Sequence, residues 1–337
     1  MKAIGFYHPG PISAADALVE LKLPSPQLQP RDLLVRVEAI SVNPVDVKVR
    51  ASAHPPEGTS RILGYDAVGI VEAVGPEATL FKKGDAVFYA GTIDRPGANA
   101  ELHAVDERLV GPKPASLDSA QAAALPLTGL TAWELLFERL GVPRGSEPSG
   151  EAILIINGAG GVGSILTQIA RRLTGLTVIA TASRSETIAW CRDLGAHHVI
   201  DHHQPLQEGL KAIGIPQVRY VAGLTATGKY QKSIVDVLAP QGALAMIDDP
   251  ETFDIVPFKS KSLSVHWEFM FTRGLYQTPD MAEQNRILTE ISKLTDQGVL
   301  NTTFRENYGP ISAGNLKRAH AAVESGRGIG KIVLSGF

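Results

Sequence analysis

The stretch Ile153-Leu154-Ile155-Ile156-Asn157-Gly158-Ala159-Gly160-Gly161-Val162-Gly163 decides the fold, because an apolar run passes directly into a glycine-rich turn. Residues 152–156 are continuously apolar, as expected for a parallel strand that is buried on both faces. Apolar residues then recur at three- and four-residue steps over 162–173, which predicts an amphipathic helix. A strand, a glycine turn and a helix in this order present backbone N–H groups to a pyrophosphate. The alternative is a turn with a purely structural role.

Each glycine of this turn has an expected role. Gly158 should allow the tight turn, Gly160 should let the backbone approach the phosphates, and Gly163 should let helix and strand pack closely. The predicted cofactor contacts in this segment are Asn157, Gly158, Gly160, Gly161, Val162 and Gly163.

The next strand indicates which dinucleotide is bound. It is predicted over 177–182 and is followed by Ser183 and Arg184. A site for NAD would place an acidic residue about 20 residues after the glycines to hold the ribose 2′-hydroxyl. A hydroxyl followed by a guanidinium suits a 2′-phosphate instead, so the sequence predicts NADPH in preference to NADH. Glu186 is assigned to the first turn of the next helix, capped by Ser183 or Ser185, and a solvated loop position is the alternative for Arg184.

Composition describes an ordinary globular chain of 337 residues, 44% hydrophobic and 20% charged, with a net charge of −3. This length favours two domains. Because the chain has no basic run, neither nucleic acid nor a membrane is expected as a partner. The single cysteine, Cys191, permits no disulfide within the chain and fits a cytoplasmic location. The uncharged run over 152–170 is interpreted as strand, turn and helix rather than a membrane span.

The character of the chain changes along its length. Up to about residue 110, short strand patterns alternate with glycine and proline turns, which favours a small barrel or sandwich. From 152 to 270, strand and helix patterns alternate, which predicts a parallel sheet wound on both faces. A long helix over 279–297 and a closing strand over 330–334 follow, and that strand can return to the first domain.

Several motifs together resemble the medium-chain dehydrogenase/reductase superfamily over essentially the whole chain. Residues 64–75, Gly-Tyr-Asp-Ala-Val-Gly-Ile-Val-Glu-Ala-Val-Gly, resemble its GHExxGxVxxVG signature. Residues 125–132 resemble its hinge into the cofactor domain, and Leu194-Gly195-Ala196 before a short strand is also typical. Within the superfamily, the chain is most similar to the quinone oxidoreductase-like branch, which includes the zinc-type alcohol dehydrogenase-like proteins.

The resemblance implies an α/β fold with a Rossmann doubly wound parallel sheet plus a GroES-like β-rich catalytic domain. On this basis we expect 1–124, completed by 271–337, to form the catalytic domain. Residues 125–270 are expected to form the Rossmann NADPH-binding domain.

The departures from the superfamily pattern concern zinc. Related enzymes hold catalytic zinc with Cys, His and either Cys or Glu. Here the Cys-x-x-Asp motif reads Asn43-Pro44-Val45-Asp46, and the GHE motif reads Gly64-Tyr65-Asp66. One cysteine also cannot form the four-cysteine structural zinc loop. We therefore predict that the chain has no metal site.

Hydride transfer to a conjugated carbonyl or a quinone requires no zinc, but a hydrogen-bond donor is needed for the developing anion. The resemblance places Asn43 and Tyr65 beside the nicotinamide, and an amide N–H and a phenol O–H are suitable donors. Tyr65 can also deliver the proton. The alternatives are an aromatic wall for Tyr65 and a turn role for Asn43 before Pro44. Asp46 is assigned to the substrate pocket, where it is expected to orient the backbone rather than act as an acid or base.

The resemblance places further residues at the cofactor and the substrate. The cofactor contacts expected on this basis are Thr128, His202, Leu224, Thr225 and Ile247. His202 takes a position where related enzymes use a tyrosine beside the adenine-ribose phosphate. Met270 and Phe271 are expected to roof the substrate pocket, with core packing as the alternative. The strand over 263–269 commonly pairs with its twin in this superfamily, so a homodimer is expected.

The leading hypothesis is a zinc-independent, NADPH-dependent oxidoreductase that transfers hydride to a small quinone or α,β-unsaturated carbonyl. One alternative is a zinc-type alcohol dehydrogenase, against which the missing ligands count. Another is an NADPH-binding sensor or structural protein with little turnover, since no residue is an unmistakable catalyst.

Overall fold

Both ends of the chain contribute to one structural unit, and the middle of the chain forms another. The computed structural model describes residues 1–145 and 147–337. The first unit contains Met1–Leu130 and Phe271–Phe337, and the second unit contains Thr131–Met270. The chain therefore passes from the first unit into the second and back again.

Short strands dominate the first part of the chain, and strands alternate with helices in the middle. The residues up to Trp133 form β1 (Lys2–Phe6), β2 (Val19–Lys22), β3 (Asp32–Ser41), α1 (Pro44–Ser52), β4 (Arg61–Ile62), β5 (Ala67–Val74), β6 (Ala86–Tyr89), β7 (Leu102–Asp106), β8 (Val110–Pro112), α2 (Ser119–Ala123) and α3 (Pro126–Trp133). The second unit continues with a π-helix (Glu134–Arg139), β9 (Ala152–Ile156), α4 (Gly161–Leu173), β10 (Thr177–Thr181), α5 (Ser185–Asp193), β11 (His198–Ile200), α6 (Leu206–Ala212), β12 (Val218–Gly223), α7 (Thr227–Val237), β13 (Leu238–Met246) and β14 (Ser264–Trp267). The C-terminal part adds α8 (Thr272–Tyr276), α9 (Glu283–Asp296), β15 (Phe304–Asn307), α10 (Ala313–Glu324) and β16 (Lys331–Ser335).

Strand β3 lies inside the larger sheet of the first unit. It pairs antiparallel with β5, β7 and β16, and β15 lies parallel to β16. The strand order is β15-β16-β3-β5-β6-β8, with β7 attached to β3, and a small separate sheet has the order β2-β1-β4. The closing strand predicted near the C-terminus thus returns to this unit, where Val333 faces Ser41 across the ladder.

The sheet of the second unit has the order β11-β10-β9-β12-β13-β14, and each of these pairings is parallel. The chain first fills one side of β9 and then the other, so the strand order reverses between β9 and β12. In open sheets of this kind, ligands bind at such a reversal, outside the carboxyl ends of the strands. The predicted fold class, a doubly wound parallel sheet plus a β-rich unit, is confirmed.

All five side chains of β9 are buried, because helices pack against the faces of the parallel sheet. Leu154 belongs to the same core cluster as Val221 and Leu244 of the neighbouring strands. The side chains that α4 buries at the predicted spacing are Ile165, Leu166 and Ile169. Full burial of such a side chain contributes about 1.5–3 kcal/mol, so the apolar run that predicts β9 also stabilises the centre of the unit.

Strand β13 begins earlier than the sequence pattern predicts. Pro240, Gln241 and Gly242 together are typical of a turn, so the pattern predicts a strand only over 242–247. In the structure the strand starts at Leu238, its register against β12 is interrupted, and Gln241 takes a left-handed φ of 64°. The breaker residues form an irregularity within the strand instead of preceding it.

The uncharged run over 152–170 is divided between β9, the glycine turn and α4. Over residues 1–145 and 147–337, no helix combines the length and the apolar character that a membrane span requires.

Candidate active site

The glycine-rich turn of the second unit, residues 157–163, starts with a left-handed asparagine. Asn157 has a φ of 68°, and its N–H donates to Thr181 Oγ1 at 2.9 Å. Asn157, and not Gly158, thus has the left-handed conformation in this turn. Asparagine tolerates this conformation better than most residues. A Cβ at Gly158 would lie 2.6 Å from the Cβ of Ala180, so this glycine instead lets β10 approach the turn.

The other two glycines of the motif keep the turn tight against α4. A Cβ at Gly160 would lie 2.7 Å from Asn157 Nδ2, and a Cβ at Gly163 would lie 2.2 Å from the carbonyl oxygen of Asn157. Gly163 therefore permits close packing of helix and strand. Gly160 is the N-cap of α4 and has no side chain to cap the first N–H groups, which also lack intrahelical acceptors. A pyrophosphate fits this turn, because those N–H groups and the helix dipole favour an anion.

Ser183, Arg184 and His202 lie beyond the carboxyl ends of two adjacent parallel strands, β10 and β11. Arg184 is exposed, whereas Ser183 and His202 are half-buried. Burial, together with the neighbouring His203, lowers the pKa of His202. The structure thus places these three predicted phosphate contacts at the same edge of the sheet.

The cap of α5 differs from the prediction. The N-cap residue is Arg184 rather than Ser183 or Ser185. The Thr187 hydroxyl donates to the Arg184 carbonyl at 2.8 Å and accepts from the Arg184 N–H at 3.2 Å. These two bonds fix the backbone of Arg184 at the start of the helix.

Leu224, Thr225 and Ile247 follow β12 and β13 at this same sheet edge. Asp248, in the segment after β13, is bound to the first residue of α7, Thr227. Its carboxylate accepts from the Thr227 N–H at 2.8 Å and from the Thr227 hydroxyl at 2.5 Å. This carboxylate caps α7, and the sequence pattern gives no specific signal for it.

In the first unit, a buried group of polar side chains surrounds Asp66, and we call it the Asp66 cluster. The donors to the Asp66 carboxylate are Ser41 Oγ, Asn43 Nδ2 and the Leu127 N–H, each at 2.7 Å, and Lys331 Nζ at 3.1 Å. Asp66 and Asn43 are fully buried, and Lys331 is only 3% exposed. The carboxylate is thus neutralised and hydrogen-bonded inside the protein.

Lys331 brings a positive charge into this cluster from β16. Its Nζ also donates to the Val42 carbonyl at 3.1 Å and to Asn43 Oδ1. Asn43 Nδ2 in turn donates to Asp66 and, at 3.5 Å, to the Tyr65 carbonyl. Both ends of the Asn43 amide are therefore engaged within the protein.

Asp46 holds the backbone of two segments. Its carboxylate accepts from the Asn43 N–H and from the Gly64 N–H, both at 2.9 Å. Burial raises the pKa of Asp46 to about 7, while these two hydrogen bonds and Lys331 act in the opposite direction. Asp46 thus fixes the start of α1 relative to the loop before β5.

Tyr65 differs from its neighbours because its hydroxyl is unsatisfied. The side chain is fully buried, and the hydroxyl has no hydrogen-bond partner among the residues that the structure describes. Its ring meets that of Phe271 edge-on, with the centroids 5.3 Å apart. Burial raises the pKa of Tyr65, so the hydroxyl stays protonated and can act as a donor.

The remaining predicted residues are buried. The Thr128 hydroxyl lies 3.3 Å from the carbonyls of Ala124 and Leu125 and belongs to the first unit. Met270 is buried at the end of the second unit, and Phe271 is buried at the point where the first unit resumes.

The residues at the expected zinc position do not fit a zinc ion. Asn43 and Tyr65 supply an amide and a phenol where zinc sites use thiolate and imidazole. The ammonium of Lys331 lies 3.1 Å from Asp66 Oδ2, and a divalent cation beside it would be repelled. Among residues 1–145 and 147–337, no group of three or more His, Cys, Asp or Glu side chains is arranged to hold a metal ion.

Sequence reasoning missed the role of Lys331, although a signal was present. Lys331 begins a strand of apolar residues, and it shares the inward face with Val333. A lysine on the buried face of a strand requires an internal partner, because an isolated charge is too costly to bury. That reasoning points to a buried carboxylate but does not identify Asp66.

Known proteins similar to this chain are dehydrogenases and reductases. Residues 29–115 match the alcohol dehydrogenase GroES-like domain, and residues 194–334 match the zinc-binding dehydrogenase family. The chain is 40% identical over 339 residues to a zinc-type alcohol dehydrogenase-like protein of Staphylococcus aureus (strain MSSA476), with 99% of this chain and 100% of the relative covered. It is 28% identical over 324 residues to the 2-methylene-furan-3-one reductase of Solanum lycopersicum, with 94% and 74% covered.

Two solved structures have a similar fold along nearly the whole of this chain. A protein of Rhizobium etli CFN 42, provisionally named a zinc-dependent alcohol dehydrogenase, is 55% identical with a TM-score of 0.96, and the match covers 100% of this chain and 98% of that one. The quinone oxidoreductase of Escherichia coli, solved in complex with NADPH, is 26% identical with a TM-score of 0.84, and the match covers 99% and 100%.

We expect Lys331→Met to lower the free energy of unfolding by about 3–5 kcal/mol, because the Asp66 carboxylate would remain buried without its cationic partner. Urea unfolding followed by circular dichroism measures this loss. Lys83→Met is the control, since the Lys83 side chain is 76% exposed and its Nζ lies 4.0 Å from Glu72 Oε2. It should change the free energy by no more than about 0.5 kcal/mol. Equal effects of the two substitutions would contradict a stabilising role for the buried pair.

Proposed function

The chain belongs to the medium-chain dehydrogenase/reductase superfamily, in its zinc-type alcohol dehydrogenase-like group, and from this premise we propose that it reduces a small quinone or α,β-unsaturated carbonyl with NADPH, without zinc. The observation that carries the proposal is the buried hydroxyl of Tyr65, which has no acceptor among the described residues. A buried donor without an acceptor is unfavourable, and a substrate oxygen would satisfy it.

The chemistry of the Asp66 cluster supports reduction of a conjugated carbonyl over oxidation of an alcohol. Zinc dehydrogenases use the metal to polarise oxygen and to lower the pKa of the alcohol. Here the corresponding positions hold Asn43 and Tyr65, and the cation beside Asp66 is Lys331, whose Nζ is already paired with that carboxylate. A neutral hydrogen-bond donor is sufficient when the substrate itself delocalises the negative charge.

NADPH, when bound, supplies the hydride. In this proposal the turn at residues 157–163 holds the pyrophosphate, and Ser183, Arg184 and His202 hold the 2′-phosphate. The remaining predicted cofactor contacts are Thr128, Leu224, Thr225 and Ile247. The E. coli quinone oxidoreductase, a relative of this chain, is known as an NADPH complex, which supports the same cofactor here.

The proton that completes the reduction comes from Tyr65 in this proposal. Hydride adds two electrons to the acceptor, and the acceptor oxygen gains negative charge while it is hydrogen-bonded to the Tyr65 hydroxyl. Transfer of the hydroxyl proton gives the neutral product, and solvent then restores the proton of Tyr65. We assign Tyr65 rather than Asn43 to this step, because both ends of the Asn43 amide are bound to protein groups. Phe271 and Met270 are proposed as apolar walls of the substrate pocket, with Asp46 holding the backbone beside it.

We propose that the protein is a homodimer that forms through β14. This strand is at the edge of the parallel sheet, and the nearby aromatic side chains Trp267 and Phe269 are 54% and 46% exposed. Exposed aromatic groups beside an unpaired strand edge favour association. Light scattering should give twice the chain mass, and a monomeric mass would contradict the proposal.

A cytoplasmic location is proposed from cysteine usage. Cys191 is the single cysteine and is buried, and burial raises the pKa of its thiol to about 12. The chain thus relies on no disulfide, as is usual in reducing compartments.

The test of the proposed reaction is oxidation of NADPH with a panel of acceptors: a naphthoquinone, an ortho-quinone, an alkenal and a simple aldehyde. We expect chelator-resistant turnover of a quinone or the alkenal, and slower turnover of the simple aldehyde. NADH in place of NADPH is the cofactor control. Tight NADPH binding without any turnover would instead indicate a binding protein, and chelator-sensitive reduction of the aldehyde would indicate a zinc enzyme.

Arg184→Ala should raise the Kd of NADPH by about 10- to 100-fold and leave the Kd of NADH nearly unchanged, because only NADPH carries the 2′-phosphate. Titration calorimetry measures both constants. Arg192→Ala removes an exposed arginine from the last turn of the same helix and is the matched control. If Arg184→Ala weakened NADH as much as NADPH, the assignment to the 2′-phosphate would fail.

Tyr65→Phe should lower kcat by more than about 10-fold if the hydroxyl donates the proton, with NADPH affinity changed by less than about 2-fold. Steady-state kinetics with the best acceptor of the panel measure this. Tyr89→Phe removes another buried hydroxyl, one that lies 3.0 Å from His103 Nδ1, and should retain kcat. An unchanged kcat in Tyr65→Phe would reduce Tyr65 to a wall of the pocket.

A further inference from the structure

The segment that leads to Tyr65 is held by a neighbouring loop. Residues 92–99 lie between β6 and β7, and we call them the 92–99 loop. Three consecutive N–H groups of this loop donate to the three carbonyls that immediately precede Tyr65. These bonds run from Gly97 to Ile62 at 3.0 Å, from Ala98 to Gly64 at 2.9 Å and from Asn99 to Leu63 at 2.8 Å. The backbone before Tyr65 therefore follows the position of the 92–99 loop.

A glycine on each side makes this contact close. A Cβ at Gly97 would collide with the carbonyl group of Leu63, and a Cβ at Gly64 would lie 2.7 Å from the Asn99 nitrogen. Gly64 also has a φ of 111°, which residues with a side chain disfavour. The two backbones thus lie directly against each other, and a shift of the loop reaches residue 64, next to Tyr65.

Arg95 anchors the 92–99 loop to the first residue of β3. Its guanidinium donates to both oxygens of the Asp32 carboxylate, from Nη1 at 2.8 Å and from Nη2 at 2.6 Å. Asp32 is fully buried, and its Oδ2 also accepts from the Gln29 N–H at 2.8 Å. A charge-assisted, two-bond contact of this kind fixes the direction of the guanidinium as well as its distance. Arg95 is therefore held firmly two residues before Gly97, the first of the three N–H donors.

The same loop contacts the segment that follows Phe271. A Cβ at Gly274 would lie 3.2 Å from the Cβ of Thr92, so α8 packs against the start of the loop. Phe271 directly precedes α8, and its ring meets the Tyr65 ring edge-on. The 92–99 loop thus supports both aromatic side chains that the proposed function places at the substrate.

We propose that Arg95 is a positioning residue for the reaction: its ion pair with Asp32 holds the 92–99 loop against residues 62–64 and so fixes the Tyr65 hydroxyl at the acceptor oxygen. This inference rests on the proposed reductase function, in which Tyr65 donates the proton. A proton donor must lie within about 2.6–3.2 Å of the oxygen that it protonates. A displacement of about 1 Å can lower the rate by up to about 100-fold, so the anchoring of the loop governs the proton transfer.

The test is a double-mutant cycle with Tyr65→Phe, assayed with NADPH and whichever of the naphthoquinone and the alkenal turns over faster. Arg95→Met should lower kcat by about 10-fold, because Tyr65 would no longer be held at the acceptor oxygen. In the Tyr65→Phe background the same substitution should lower kcat by less than about 2-fold, since no proton donor is left to misplace. A purely structural role predicts equal losses in both backgrounds, and that result would overturn the proposal.

Arg108→Met is the matched control. Arg108 forms a two-bond ion pair with Asp106 in the same unit, but it lies outside the 92–99 loop. Its removal should change kcat by less than about 2-fold. Arg95→Lys keeps the charge without the two-bond geometry and should lower kcat by about 3-fold. Should Arg95→Met fail to fold, as circular dichroism would show, Arg95→Lys takes its place in the cycle and decides the question.

Hydrogen exchange measures the anchoring without any turnover. Arg95→Met should raise the exchange rates of the three donor amides, 97–99, by about 10-fold or more, because the loop would open more often. The Pro96 carbonyl lies 2.9 Å from His103 Nε2 and keeps a second hold on the loop, so the rest of the unit should stay protected. Mass spectrometry of peptides that cover residues 92–101 measures these rates, with Arg108→Met as the control. Unchanged rates in Arg95→Met would overturn the proposal.

The two measurements separate this inference from the proposed function. Faster exchange in Arg95→Met, with no turnover of any acceptor by the wild type, would refute the reductase and uphold the anchoring of the loop by Arg95. Turnover that falls in Tyr65→Phe but in neither Arg95 variant would uphold the reductase and refute the role of Arg95.

Discussion

The buried ion pair between Asp66 and Lys331 is the interaction on which the first unit depends. Removing two charges from water costs several kcal/mol per ion, and the cost is offset only when geometry and hydrogen bonding are nearly complete. That condition is met here, because the carboxylate accepts from four donors and the ammonium has two further oxygen acceptors. A one-residue slip of β16 along β3 would turn Lys331 to the opposite face of the sheet, so the pair also fixes the strand register.

In both units, the carboxylates that stabilise the backbone are different from the groups that can bind a ligand. Asp248 in the second unit, like Asp46 and Asp66 in the first, uses its carboxylate to hold backbone N–H groups of neighbouring segments. These carboxylates are hydrogen-bonded within the protein and are therefore not available to a ligand. The groups that can bind a ligand are among those without a partner in the protein, and they include the N–H groups at the start of α4 in one unit and the Tyr65 hydroxyl in the other.

The fold was accessible from the sequence wherever a local pattern specified it. Strand β9 is predicted at its observed bounds, because a buried parallel strand needs an unbroken apolar run and Ala152–Ile156 is one. The left-handed Asn157 and the irregularity at Gln241 were not accessible, since backbone conformation at such points depends on the strands packed around them. The site could be predicted only in part. Motif positions identify Tyr65, but Lys331, the cationic partner of Asp66, lies in the last strand of the chain. No local sequence pattern relates residue 331 to residue 66.

The place of β16 in the sheet has a consequence for how the chain is made. During synthesis the residues of the second unit, Thr131–Met270, emerge completely before the strand that pairs with β3 and carries Lys331. The parallel sheet of the second unit can therefore form on the ribosome while the first unit still lacks β16. In that interval the Asp66 carboxylate lacks its cationic partner, and the end of β3 that pairs with β16, residues 39–41, is uncovered. The nascent first unit is thus the part of the molecule that most needs protection from premature association.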